Sequence, residues 1–245
     1  MRRFYVPVFH VEKDLLKIKG HEARHIQRVL RLRTGDGIVV FDGSGREYEG
    51  VIVGEEPTAV VIKVRTIFSS KEESPIEIVL AQSLLKGEKM DYLIQKATEL
   101  GVRKIIPFFS SRSVPRPDRS KTLERHQRLE RIAVEASKQC GRGMITRIEP
   151  LCDYSEMLSQ APLESLRLIL WEEEGERLKK ILKESKDKKR IFFIVGPEGG
   201  MSQEEIEKSK KTGFIPVFMG GRIMRAETTS LCLLSILQYE WGDIG

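Results

Sequence analysis

Apolar residues in the first 68 positions come in short runs, FYVPVF, GIVVF, REYEGVIV and AVVIKVRTIF, separated by glycine-bearing turns such as DGSG at 42–45. Runs of this length bounded by turn residues predict β-strands, and together they predict a small β-barrel. One helical pattern interrupts them, HEARHIQRVLRL, and its polar positions are crowded with Arg24, Arg28, Arg31 and Arg33. The stretch SSKEESP at 69–75 is polar and ends in proline, which predicts a linker. A first domain is therefore expected over residues 1–70.

After Pro75 the rhythm changes. The apolar runs IEIVLAQSL, KIIPFF, LRLILW, IFFIV and FIPVFM alternate with helical patterns that begin near Glu88, Lys121 and Gly175. Such alternation predicts an α/β fold on a parallel sheet, with a second domain over 75–245. The first of these helices has an apolar face at Met90, Leu93, Ile94, Ala97 and Leu100. The second has one at Leu129, Ile132, Ala133, Ala136 and Cys140, and both stripes are expected to be core.

The stretch IFFIVGPEGGMSQEEIEKSKKTG, residues 191–213, joins a strand to a helix through a turn rich in glycine. Ser202 with Glu205 three residues later is a capping-box pattern, and acidic residues precede lysines along the helix. Ligands favour this junction in open α/β sheets, because backbone N–H groups and the helix dipole converge there. The glycines at 196, 199 and 200 do not space as a dinucleotide fingerprint, and no Lys-Ser/Thr pair ends a phosphate loop. Glu198 in mid-turn would repel phosphate but tolerate a neutral or cationic ligand. A tight turn with no ligand is the alternative.

Charge adds a second theme. The chain of 245 residues carries a net charge of +6. Residues 103–147 hold 12 Lys or Arg against four acids, a local surplus larger than that of the whole chain. This basic segment, with Arg112, Arg116, Gln139 and Arg142, suits nucleic-acid phosphates, although a solvated face would look the same. The three cysteines show no metal-ligand spacing, and the N-terminus reads as no signal peptide, which leads to the expectation of a cytoplasmic protein without membrane or metal. His21-Glu22-Ala23-Arg24-His25 fits the zinc-protease signature, but the arginines around it disfavour a metal cation. The last segment, FIPVFMGGRIMRAETTSLCLLSILQYEW, ends in a helix apolar nearly all round, which is expected to be buried in a core or a subunit interface. Arg225 and Glu227 at its polar start form either an internal ion pair or a ligand site.

Five motifs converge on one family. GPEGGMSQEE, MGGRIMRAETTSL, ATELGV at 97–102, EASKQCGR at 135–142 and HIQRVLRLRTGDGIVVFDGSGREYEG resemble the bacterial 16S ribosomal RNA uracil-N3 methyltransferases of the SPOUT superfamily. The match spans nearly the whole chain in order; the departures are Met201 where phenylalanine is common, and Ala226 where threonine is. The resemblance implies a PUA-like β-barrel before a trefoil-knotted α/β domain that uses S-adenosylmethionine and works as a homodimer. It implies that the cofactor is held by Leu170, Trp171 and Glu172, by Gly196, Pro197, Glu198, Gly199 and Gly200, and by Met219, Gly220, Gly221, Ile223, Met224, Arg225, Glu227 and Thr228. The positive sulfonium would explain a tolerated Glu198.

The implied reaction is attack of uridine N3 on the methyl carbon in 16S rRNA, with the small ribosomal subunit as partner. N3 must lose a proton, so an acceptor, or a cation that stabilises charge on the uracil oxygens, is needed. Arg225 and then Arg142 are the candidate cations, and Glu198 and Glu227 are possible acceptors or cofactor-orienting groups. Competing expectations are methylation of a ribose 2′-hydroxyl or a guanine in rRNA or tRNA, and a non-catalytic RNA-binding assembly protein.

Overall fold

Alternation along β13 (Arg190–Val195) shows how the larger sheet is built: Ile191, Phe193 and Val195 point into one apolar core, and Phe192 and Ile194 into another. A strand buried on both faces has no polar side, which is why the sequence reads as a continuous apolar run. The computed structural model describes every residue except 8, 10, 70–72 and 114–118, together with the side chains of 119–120. Two compact units result, one of Met1–Glu73 with Ser137–Ile145, the other of Ser74–Ala136 with Thr146–Gly245.

The first unit contains β1 (Arg2–Tyr5), β2 (Val11–Glu12), β3 (Leu15–Lys19), β4 (Gly37–Phe41), β5 (Arg46–Glu56) and β6 (Ala59–Ser69). They form a mixed sheet in the order β1-β4-β5-β6-β3-β2, parallel only between β1 and β4. The helix expected between strands is shorter and less regular than its pattern: α1 (Gly20–Arg24) runs into a π-helical turn at His25–Val29. Ala23 and Ile26 anchor it in the core. The β5–β6 register shifts twice, between Glu49 and Gly50 and between Ile52 and Gly54; at the first shift a Cβ on Gly50 would overlap the Lys63 carbonyl oxygen, so only glycine fits.

Residues 137–145 are tied to this sheet through polar contacts. Gly45 N donates to Gly143 O at 3.2 Å. The Arg3 guanidinium binds the buried Glu47 carboxylate and donates to Arg142 O at 3.0 Å. Arg142 in turn grips Glu73 through Nη2 at 2.7 Å and Nε at 3.1 Å.

The second unit holds β7 (Glu77–Ser83), α2 (Lys89–Glu99), β8 (Lys104–Phe109), α3 (Arg119–Cys140, as far as Ala136), β9 (Arg147–Ile148), β10 (Cys152–Asp153), α4 (Tyr154–Ser159), β11 (Leu166–Leu170), β12 (Glu176–Arg177), α5 (Leu178–Glu184), β13, α6 (Gln203–Lys211), β14 (Ile215–Phe218) and α7 (Ala226–Trp241). Every described strand pair is parallel, in the order β10-β8-β7-β13-β11-β14-β12, with β9 also on β8. Helices α2, α3, α5 and α7 cover one face, and α4 and α6 the other.

Two details depart from expectation. Cys140 is exposed, so the apolar stripe of α3 stops at Ala136. The helix expected from Gly175 begins at Leu178, after Glu176 and Arg177 have paired with β14. The motif ATELGV has a packing reason: Gly101, at φ +80°, faces Gln238, whose Nε2 donates to Leu100 O at 2.8 Å. This bond fastens the end of α7 to the turn after α2.

Candidate active site

Three consecutive neighbours in the sheet, β13, β11 and β14, end at the same edge, and the loops leaving them enclose a cavity of about 520 Å³. Leu170 ends β11 and Trp171 and Glu172 follow it, the glycine turn follows β13, and Met219 to Arg225 follow β14. Parallel strands carry their loops at the carboxyl ends, so the topology alone gathers three distant segments at one place.

The glycine turn is closed by Gly200 N donating to Pro197 O at 3.0 Å. Its glycines are demanded locally: Gly200 has φ +70°, and a Cβ on Gly196 would lie 2.9 Å from the Met201 sulfur. Met201 is buried and forms part of the cavity wall. After the turn, α6 starts with the full reciprocal capping box of Ser202 and Glu205. Glu205 also accepts from Ser111 N at 2.8 Å and Ser111 Oγ at 3.0 Å. Beside it, Arg112 Nη1 donates to Gly199 O at 3.0 Å. The loop after β8 is thereby pinned to the glycine turn.

Glu198 does not stand free. Its Oε1 accepts from Lys86 N at 3.2 Å and Lys89 Nζ at 3.0 Å. Burial pushes the carboxyl up, but its own backbone N–H, the Lys89 ammonium and the Lys86 N–H together hold it below the usual carboxylate range. Arg225 is the opposite case: it is exposed, lines the cavity and has no side-chain partner among the described residues. The internal Arg225–Glu227 ion pair is not formed. Glu227 is buried in the first turn of α7, and its Oε2 has no hydrogen-bond partner among the described residues.

Of the expected cofactor residues, Leu170, Trp171, Glu172, Gly196, Pro197, Glu198, Gly200, Met219, Gly220, Ile223, Met224 and Arg225 line the cavity, whereas Gly199, Gly221, Glu227 and Thr228 do not. Lys89, Arg222 and Thr229 line it without having been expected. Lys89 is separated from Glu198 by 109 positions, so no local pattern signals it; its place follows only from the β7-to-α2 loop meeting the β13 turn.

Among the basic residues, Arg24, Arg28 and Arg31 are exposed and have no carboxylate partner among the described residues, while Arg33 pairs with Glu55 at 3.0 Å. Gln139 is exposed, Arg142 is held by Glu73 and is not part of the cavity wall, and Arg116 lies outside the described residues. In the HEARH segment, Glu22 lies 3.6 Å from His25 Nδ1 and 3.2 Å from Lys138 Nζ. Among the described residues no group of three His, Cys, Asp or Glu is placed to hold a metal ion, and no helix is long and apolar enough to cross a membrane.

The wall fits S-adenosylmethionine. Its size lies in the roughly 300–1,000 Å³ range of small-ligand pockets. Backbone turns and apolar side chains dominate, and the carboxylates of Glu172 and Glu198 suit a sulfonium cation better than a polyphosphate.

Comparison with known proteins places these features. An RNA methyltransferase domain model matches residues 72–238, and an RNA methyltransferase PUA domain model matches residues 18–65. The chain is 28% identical to a ribosomal RNA small subunit methyltransferase E from Bacillus subtilis, covering 98% of this chain and 97% of the relative. It is 30% identical to the protein of that name from Buchnera aphidicola, covering 97% and 95%. A crystal structure of a ribosomal RNA small subunit methyltransferase E from Neisseria gonorrhoeae bound to S-adenosyl methionine superimposes with a TM-score of 0.90, at 32% identity and full coverage of both chains. A methyltransferase structure from Legionella pneumophila, in complex with the same cofactor, gives 0.87 at 30% identity, with 99% and 98% covered.

Proposed function

The chain belongs to the RNA methyltransferase family, with a PUA-like unit before a parallel-sheet methyltransferase unit, and on that premise we propose that it methylates N3 of a uridine in 16S ribosomal RNA. S-adenosylmethionine is the methyl donor, as it is the ligand of the Neisseria and Legionella relatives. The observation that carries the reading is the Arg225 guanidinium, without a partner among the described residues, at a cavity that the glycine turn also lines.

Bound S-adenosylmethionine supplies an electrophilic methyl group on a sulfonium. The rest is work for this chain. The turns after β11, β13 and β14 hold the adenosyl and methionyl parts through backbone and apolar contact, and so fix the direction of approach. Arg225, which lines the same cavity, stabilises negative charge on the uracil oxygens as N3 gives up its proton to solvent water. Glu198, held ionised by Lys89, orients the turn and offers a negative surface to a cation. The target base is unpaired or flipped, since N3 is hidden in a base pair.

Arg24, Arg28 and Arg31, exposed and without a carboxylate partner among the described residues, supply phosphate contacts for the RNA. The working form is a homodimer through the second unit: Tyr92 on α2 is 50% exposed and Tyr239 on α7 66% exposed, and these helices pack together. In the proposed trefoil knot the segment between β14 and α7 is threaded, and α7 returns from the β14 side to pack on β13. The substrate is the small ribosomal subunit, in the cytoplasm.

The test is transfer of labelled methyl from S-adenosylmethionine to small subunits lacking the modification, followed by mass spectrometry of the nucleosides. Label in N3-methyluridine supports the reading. Label on a ribose or a guanine would replace the target, and cofactor binding without transfer to any RNA would leave a non-catalytic RNA-binding protein.

A further inference from the structure

Below the cavity, the end of β7 carries a polar side chain with no share in the chemistry described so far. Gln82 is 0% exposed and follows the apolar run Ile78 to Ala81 of its strand. Its Nε2 lies 3.3 Å from Gly196 O, 3.4 Å from Val195 O and 3.1 Å from Ser83 O. Its Oε1 accepts from Ser230 Oγ at 2.6 Å. The sheet register sets Gln82 directly opposite Val195. One side chain therefore joins the strand it sits on, the glycine turn and the second turn of α7.

Those are two walls of the cavity. Val195 and Gly196 line it from the β13 side, and Ala226 and Thr229, four residues and one residue before Ser230, line it from α7. The chain enters α7 only after leaving β14, two strands beyond β13 in the sheet. Backbone hydrogen bonds within the sheet do not fix the distance from the glycine turn to α7, but the Gln82 amide spans it. Stability gives little reason for such a group. Apolar residues of equal shape can replace a buried hydrogen-bonded pair at almost no cost, whereas a ligand gains from walls already set at the right separation.

We propose that Gln82 is a positioning residue of the cofactor site, which holds the glycine turn and the start of α7 at the separation that S-adenosylmethionine requires. The proposal rests on the reading that this cavity binds S-adenosylmethionine. Gln82 touches neither cofactor nor RNA; it acts through the Val195 and Gly196 carbonyls and the Ser230 hydroxyl.

The test compares the full-length wild type with Gln82→Met, which keeps the volume and loses the amide, and with Ser230→Ala, which removes the α7 end of the link. Cofactor affinity is read by calorimetry with S-adenosylmethionine, kinetics as KM for cofactor and for RNA against kcat, and folding by thermal unfolding. Gln82→Met is expected to raise Kd and KM for S-adenosylmethionine about tenfold, equivalent to about 1.4 kcal/mol. Its kcat at saturating cofactor and its KM for RNA stay within twofold, and its Tm within a few degrees. Ser230→Ala moves Kd in the same direction by less. An unchanged Kd in folded Gln82→Met, or a loss of kcat with KM for cofactor unmoved, overturns the proposal. Should Gln82→Met not fold, an unchanged Kd in Ser230→Ala overturns it. Failure of the wild type to bind S-adenosylmethionine would instead remove the cofactor reading itself, in the same titration.

Discussion

The ammonium of Lys89, at the start of α2, lies 3.0 Å from the carboxylate of Glu198 in the middle of the glycine turn. Two segments 109 residues apart are thereby joined at the rim of the cavity. The pairing also decides what Glu198 can do, because a carboxylate held ionised by a cation is a weak proton acceptor.

A stability titration tests the pairing. The folded carboxyl lies below its unfolded value, so its stabilisation is present at neutral pH and is lost as pH falls below the unfolded value of about 4.3. Lys89→Met should lower the unfolding free energy at pH 7 by up to about 1 kcal/mol, the scale of a partly exposed pair. Denaturant unfolding from pH 7 to pH 3 should show the gap to wild type closing. A gap that persists undiminished at pH 3 would assign the contribution of Lys89 to something other than Glu198.

Arg225→Ala separates binding from turnover. The guanidinium has no partner among the described residues, so its removal leaves no buried charge behind. Calorimetry should give a Kd for S-adenosylmethionine within a few-fold of wild type, while single-turnover methylation slows about 10²–10³-fold, the cost of removing one charge-stabilising donor. Undiminished turnover would take Arg225 out of the mechanism.

Glu227 should behave as a residue kept at the expense of stability. An unpartnered buried oxygen costs about 1–3 kcal/mol, and Glu227 Oε2 has no partner among the described residues. Glu227→Gln is expected to match or exceed the wild-type Tm while losing cofactor affinity or rate. A variant that melts well below wild type yet methylates normally would make Glu227 a plain structural group.

The arginines of the first unit are best read through salt. Removing one phosphate-binding cation should flatten the slope of log K against log salt by about 0.7–0.9. Arg24→Ala, Arg28→Ala and Arg31→Ala combined should therefore reduce the slope for RNA by about 2–3. Arg142→Ala, which breaks the pair with Glu73, should chiefly lower Tm. The reverse pattern would put the RNA on the other face.

How much of the fold is legible in the sequence depends on the distance over which each feature is determined. Strands β7, β8, β11, β13 and β14 are visible because burial on both faces forces apolar runs, and the start of α6 because its cap is written in four residues. Helix α4 is not: it has only six residues, with Asp153 as its cap and Tyr154, Met157 and Leu158 as its core contacts. The irregular turn at His25–Val29 likewise has the periodicity of an ordinary helix. At the site, the glycines, Trp171 and Arg225 stand out as parts of local motifs. Lys89 and Gln82 do not, because each acquires its role only when β7, β13 and α7 come together.

The order in which the strands lie differs from the order in which they are made, and this matters during synthesis. Gln82 meets Val195 across 113 positions, and β13 separates β7 from β11. A nascent chain that has emerged through β11 therefore has the flanking strands of the sheet but not the middle one. Until residues 190–195 arrive, β7 and β11 present unpaired, apolar edges that invite association with other chains. The completed sheet, and with it the cavity, exists only after residues 190–218 have been made.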